Sequence, residues 1–249
     1  MKKTLVALSL AALTVPALAQ DKKAPEPDYT ISGNFGLFSD YRFRGISQTD
    51  LAPALQGGFD FAHKSGFYLG TWGSNVSEFA NFEGNGMEID AYLGYKFSLG
   101  DVSFDVGNLY YYYPDSTKTA AKPNTNEVYV GIGYGPLTLK TSYATTKYFA
   151  ADNSKNTLYY DLSASFPLPG GFQLGAHVGY VDGKGSQLSG TDYKLGISKE
   201  LGGYVLAANY VGNSGDFSDS AAIRSYSDST GETKDLGKSA VVLSISKTF

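Results

Sequence analysis

From Met87 to Leu99 the side chains alternate between two characters without a break. Odd positions carry Met87, Ile89, Ala91, Leu93, Tyr95, Phe97 and Leu99, and even positions carry Glu88, Asp90, Tyr92, Gly94, Lys96 and Ser98. A period of two places one set on each face of a β-strand, whereas a helical period of 3.6 would mix them. The dyad recurs over Leu158 to Phe166 and again over Phe172 to Tyr180. A chain built from such segments must form a sheet with one apolar face and one polar or small face.

Twelve strands of about 9–15 residues are expected on this pattern, near the length of a tilted membrane-crossing strand. They begin with Tyr29–Arg44 and Pro53–His63 and end with Ser239–Phe249. Short turns (Lys64-Ser65-Gly66, Gly100-Asp101, Gly135-Pro136, Pro167–Gly171, Gly202-Gly203) alternate with longer polar segments (Ser77–Gly86, Pro114–Thr125, Lys147–Asn156, Asp182–Thr191, Asn213–Lys238). Gly45–Ala52 is a first loop of moderate length. Short periplasmic turns facing long outer loops are the rhythm of a transmembrane barrel. The expected fold is therefore all-β: a transmembrane antiparallel up-and-down β-barrel of about twelve strands with both ends on the periplasmic side.

Composition narrows the alternatives. The 249 residues include 30 Gly, 20 Tyr, 15 Phe and no Cys. Aromatic content of 14% argues against disorder. The missing cysteines exclude a disulfide framework and thiolate metal sites. Met1-Lys2-Lys3, the apolar run Leu5–Leu18 and Ala17-Leu18-Ala19 read as a cleaved signal peptide over residues 1–19. Residues 20–28, with Pro25 and Pro27, form a periplasmic lead-in, and 29–249 the barrel. Cleavage leaves 18 basic against 24 acidic residues, a net charge of −6 in place of −4. That balance and the dispersed lysines argue against nucleic acid.

Three features assign the apolar face to the outside. Aromatics stand near strand ends, where interfacial rings prefer to lie. Tyr29, Phe61, Phe67, Phe97, Phe166, Phe172, Tyr193, Tyr204 and Phe249 are placed at the short-turn side, and Tyr41, Phe43, Tyr148 and Phe149 at the other. The chain also ends in Phe249 behind alternating Val241, Leu243 and Ile245, which resembles the assembly signal of outer-membrane barrels, although Lys247 takes a position usually apolar there. Finally, no tail follows the last strand.

With the polar face as lumen, the candidate pore-lining residues are Asp40, Arg42, Arg44, Asp60, Glu88, Asp90, Lys96, Asp105, Lys140, Asp161 and His177, joined by Glu127 and Lys194. Their signs are mixed, with no single-sign ring to impose strong selectivity. Asp40, Arg42 and Arg44 share the parity of Thr30, Ser32 and Asn34. Two guanidiniums beside a carboxylate suit either a bidentate brace pinning the first loop or an anion site at the mouth. The brace is the preferred reading.

The segment from Ser39-Asp40-Tyr41-Arg42-Phe43-Arg44-Gly45 to Ile46-Ser47-Gln48-Thr49 continues through Pro53–Asp60 to Gly70-Thr71-Trp72-Gly73-Ser74-Asn75-Val76. This block resembles the TorF family of proteobacterial outer-membrane proteins. The likeness covers most of the mature chain and is specific in the first three strands. It implies an outer-membrane barrel with a channel role and implies no substrate.

A catalytic reading finds little support. His63 follows the apolar parity and His177 stands on the polar face mid-strand. Neither lies in a recognisable nucleophile–base pattern, and Gly-x-Ser-x-Gly is absent. The acidic, Ser-rich stretch Asn213–Lys238 lacks the spacing of a calcium loop and reads as a solvated outer loop. No cofactor is expected. The expected function is an outer-membrane porin of a Gram-negative cell passing small hydrophilic solutes by diffusion. A non-conducting surface-interaction barrel and a barrel hydrolase are the alternatives. Outer-membrane lipid and, through the strand ending in Phe249, the barrel assembly machinery are the expected partners.

Overall fold

The computed structural model describes residues 27–77, 86–114, 122–216, 226–227 and 230–249. The stretch 1–19 expected to be a signal peptide, most of the expected lead-in 20–28 and parts of three of the longer connections lie outside the described residues.

Twelve strands form one closed barrel, each antiparallel to its two neighbours. They are β1 (Tyr29–Phe38), β2 (Ala54–His63), β3 (Phe67–Asn75), β4 (Met87–Leu99), β5 (Val102–Tyr112) and β6 (Thr125–Tyr134). The second half comprises β7 (Leu137–Ala144), β8 (Leu158–Leu168), β9 (Phe172–Asp182), β10 (Gly190–Leu201), β11 (Tyr204–Ser214) and β12 (Ala240–Thr248). Consecutive strands pair all the way round, and β1 closes on β12 from Asn34↔Thr248 to Phe38↔Ser244. Closure removes the free edges that an open sheet would expose.

The two faces are inverted relative to a soluble barrel. Ile31, Leu55, Phe59, Leu93, Leu195 and Leu243 all point outward, Ile31 being 67% exposed. Glu88 and Glu127, inside, are 1% and 2% exposed. Only a hydrocarbon surround makes that distribution favourable, because several polar groups are enclosed while the large apolar residues are left uncovered. Glycines on the inner face leave room for tyrosines on the next strand. A Cβ at Gly70, for example, would lie 2.6 Å from the Tyr92 ring.

Three placements differ from the sequence reading. The first strand does not run to Arg44. It ends at Phe38, and residues 39–53 leave the wall, with Arg42–Phe43 and Ile46–Ser47 pairing as a small hairpin. The two residues between them, Arg44 (φ +47°) and Gly45 (φ +80°), make a tight turn needing left-handed backbone at both positions. Tyr41, Phe43, Tyr148 and Phe149 are not an interfacial girdle either. They cluster in the interior with Tyr111 and Tyr113, every pair of rings in contact lying edge to face. The outward rings at the outer strand ends are Tyr110, Tyr112, Tyr143, Tyr160, Tyr180 and Tyr210, each at least a third exposed. Tyr193 belongs with them, near the outer start of β10 and 6.2 Å from the Tyr210 ring.

Lys247, the exception in the terminal pattern, faces outward and rests its ammonium 4.8 Å from the Tyr204 ring centroid. A snorkelling lysine at the rim is compatible with an apolar band. The Phe249 and Gly33 backbones exchange reciprocal 2.9 Å hydrogen bonds, extending the seam to the last residue.

Two measurements check this architecture. Leu93→Arg, mid-strand on the outer face, should cost about 2–4 kcal/mol in urea unfolding from lipid vesicles. Ser198→Arg, on the inner face, should stay within about 0.5 kcal/mol of the parent, and equal costs would contradict the inversion. At the seam, a Cβ on Gly33 would meet the Phe249 ring at 2.7 Å. Gly33→Val should therefore lower the yield of heat-modifiable barrel more than Gly33→Ala does.

Candidate functional site

The first loop bends into the lumen and crosses it at the outer strand ends. Its root lies between β1 and β2. In a ring of twelve strands the wall opposite β1 is β7, and the loop's tip meets the strands on either side of that position. Arg44 places Nη2 3.0 Å from both carboxylate oxygens of Glu127 on β6 and donates from Nη1 to the Tyr148 hydroxyl, in the connection between β7 and β8. Its guanidinium carbon lies 3.8 Å from the centroid of the Tyr159 ring on β8. Burial disfavours the charged guanidinium, but Glu127 and the surrounding phenols outweigh it and hold its pKa well above the ordinary value.

Other contacts spread the loop across the wall between. Tyr41 donates its hydroxyl to Glu88 on β4 at 3.2 Å and meets the Trp72 ring of β3 edge-on at 5.4 Å. Phe43 packs on Tyr111 of β5 and on Phe149. Gly45 lies against the backbone of Gly212 on β11, so closely that a Cβ would fall 2.6 Å from its carbonyl oxygen.

Within the loop, Asp40 is the organising acceptor. It takes a 2.5 Å ion pair from Arg42 and hydrogen bonds from Ser47 at 2.6 Å and Thr49 at 3.3 Å. Arg42 also donates to the carbonyls of Gly45, Leu236 and Lys238. The described part of the stretch read as a solvated loop thus folds down onto the first loop. Leu236 is fully buried beside Ile46, and Lys234 pairs with Asp50 at 2.7 Å. Asp40, Arg42 and Arg44 do not share one face of a strand. Arg42 braces the loop to itself and to the residues before β12, while Arg44 reaches the opposite wall.

The remaining candidate residues stand on the strands and face inward. Asp60 accepts from Tyr92 at 2.5 Å and from Asn34 at 3.4 Å. Asp105 accepts from Tyr68 at 2.6 Å and lies 4.0 Å from the Lys96 ammonium. Lys140 sits 3.9 Å from the Tyr129 ring centroid. Lys194 lies opposite His177 in the sheet register. Glu88 and Asp90 are buried under the first loop, and Glu88 Oε2 and Asp90 Oδ1 have no hydrogen-bond partner among the described residues.

His177 is bracketed. Its Nε2 lies 2.6 Å from Asp192 and its Nδ1 3.2 Å from Asp161, and Tyr159 donates to Asp192 at 3.1 Å. Ser163 adjoins the imidazole at 3.4 Å, a Ser–His–Asp adjacency invisible in the sequence. Its hydroxyl donates instead to Asp161 at 2.6 Å, so the hydrogen bond that would activate a nucleophile is directed elsewhere. Among the described residues no His, Asp and Glu side chains are arranged to hold a metal ion. Sequence reasoning did not single out Trp72, Tyr111, Tyr148, Tyr159 or Asp192 as site residues. Their roles come from contacts with partners distant in the chain, for which no local motif exists.

Comparison with solved structures gives a KdgM porin at a TM-score of 0.52 and 8% identity, covering 88% of this chain and 98% of that one. A NanC porin gives 0.50 at 9% identity with the same coverages. Outer membrane phospholipase A from Escherichia coli matches at 0.42 and 12% identity, covering 88% and 94%. At such identities the likeness is one of fold. No curated protein sequence matches. A family profile described as a bacterial protein of unknown function, Gcw_chp, matches residues 22–249, and the chain belongs to that family.

Proposed function

We propose that the protein is an outer-membrane porin through which small hydrophilic solutes diffuse, in keeping with the TorF-like first three strands. The observation that carries this reading is a wall lined on its inner face by Asp60, Asp105, Lys140, Asp161 and His177, within a closed ring whose outer surface is apolar. Water and polar solutes gain nothing from that interior unless it forms a route across the hydrocarbon. The chain would be exported by residues 1–19, lose them after Ala19, and be assembled through the strand ending in Phe249. The short turns would then face the periplasm. Asp60, Lys96, Asp105, Lys140, Asp161, His177 and Lys194 would line the wall, with Asp40, Arg42, Arg44, Glu88, Asp90 and Glu127 around the narrowest part. Opposite charges along the wall favour passage of polar solutes without strong discrimination by sign.

A second reading, a non-conducting surface barrel, is favoured by one observation: the first loop spans the outer mouth between opposite walls.

Purified protein refolded into planar bilayers separates the two. Discrete, ohmic current steps at low voltage are expected, together with an intact mass beginning at Gln20 for protein recovered from outer membranes. Silence at every voltage from protein that is folded by heat-modifiable migration would sink the porin reading. Hydrolysis of lipid esters that vanishes in His177→Ala would instead favour an enzyme.

A further inference from the structure

We propose that the first loop, residues 39–53, is a displaceable plug held across the lumen by an Arg44–Glu127 latch, and that release of the latch opens the pathway. This rests on the porin reading and adds its regulation.

The loop's bonds fall into two sets. Those donated by Arg42, Ser47 and Thr49 to Asp40, by Gln48 N to Tyr41 O, and by Leu51 N to Ser47 Oγ lie inside the loop. They would travel with it. The bonds of Arg42 to Leu236 and Lys238 and of Asp50 to Lys234 lie on its root side, next to β12. Against the far wall the directional contacts are few. They are the Arg44 guanidinium on Glu127, Tyr148 and Tyr159, the Tyr41 hydroxyl on Glu88, and the Ser77 N–H donating to the Gln48 carbonyl. A self-braced segment, hinged on one side and held on the other by one charged group and two neutral hydrogen bonds, moves as a body when those contacts let go.

The docked position also carries a cost that release would remove. Glu88 Oε2 and Asp90 Oδ1 are buried beneath it with no partner among the described residues, and undocking returns both to water. The left-handed turns at Arg44, Asp50 and Leu51 belong to the loop's own fold and would travel with it. Favourable bonds at the tip offset by enclosed carboxylate oxygens describe an element with two accessible positions.

The test uses the full mature barrel and the absence of native cysteine. Phe43, packed on Tyr111 and Phe149 in the docked loop, is replaced by Cys as a probe for a charged, water-soluble maleimide. Labelling should be slow in F43C and at least tenfold faster after Glu127→Gln or Arg44→Gln. The double variant should be no faster than the faster single, since both remove one latch. Trp72, the single tryptophan and a ring neighbour of Tyr41, should show a red-shifted emission in the same variants. In bilayers, open probability should rise about tenfold. Equal labelling rates in folded parent and variants would overturn the plug, even if the parent conducts. Faster labelling with silent bilayers would uphold the plug and defeat the porin reading. If the charge variants fail to fold, Tyr148→Phe and Tyr41→Phe remove one hydrogen bond each, and a labelling rate raised in neither overturns the proposal.

Discussion

Every other feature of this molecule follows from the hydrogen-bonded closure of β1 on β12. A strand that meets hydrocarbon cannot leave N–H and C=O groups unpaired, since each would cost several kcal/mol without water to take it. The seam therefore has to run as far as the chain does, and it ends in the reciprocal pair between Gly33 and Phe249. With closure secured, the outer face can be covered in leucine, isoleucine and aromatic rings, and the polar half of each dyad turns inward. The inward half then becomes the problem. A ring of twelve strands encloses more space than its own wall side chains fill, placing it between filled eight-stranded barrels and open porins.

Two devices deal with that space. Tyrosines lie along the wall in room left by glycines and hand their hydroxyls to carboxylates, as Tyr92 does to Asp60 and Tyr68 to Asp105. The first loop occupies the outer end of that space by folding inward. Charge is tolerated there because it is paired: Arg42 with Asp40, Arg44 with Glu127, and His177 between Asp161 and Asp192. Removing one partner from such a buried pair strands the other, a loss of about 3–5 kcal/mol. Pairing of this kind fixes position more than it adds stability, so Arg44 is better understood as a locator of the loop than as a stabiliser of the barrel.

Legibility in the sequence tracked the range of the interaction. Strand existence is a local, period-two property, and Met87–Leu99 was read to the residue. The alternation of Ser39-Asp40-Tyr41-Arg42-Phe43 misled for the same reason, since a small hairpin inside the lumen has the same period as the wall. The local signal against a continuous strand was Arg44-Gly45, a two-residue turn flanked by matching dyads, with glycine at a position needing positive φ. Nothing local marks Glu127, which lies 83 residues from Arg44. The same holds for Tyr148 and Phe149, whose place inside depends on the left-handed backbone at Phe149 and Ala150 that turns that connection toward the lumen.

The loop and the wall also differ in what would be lost if they separated. Breaking the wall exposes backbone groups to lipid, which nothing else can satisfy. Parting the loop from the far wall exposes Arg44, Glu127, Glu88 and Asp90 to lumen water, which satisfies all four. The first separation is equivalent to unfolding, while the second exchanges one set of hydrogen bonds for another and relieves two enclosed carboxylate oxygens. A protein with both kinds of contact therefore has a rigid shell and an interior free to take a second arrangement. The boundary between them runs along the side chain of Glu127, whose backbone belongs to β6 and whose carboxylate belongs to the loop.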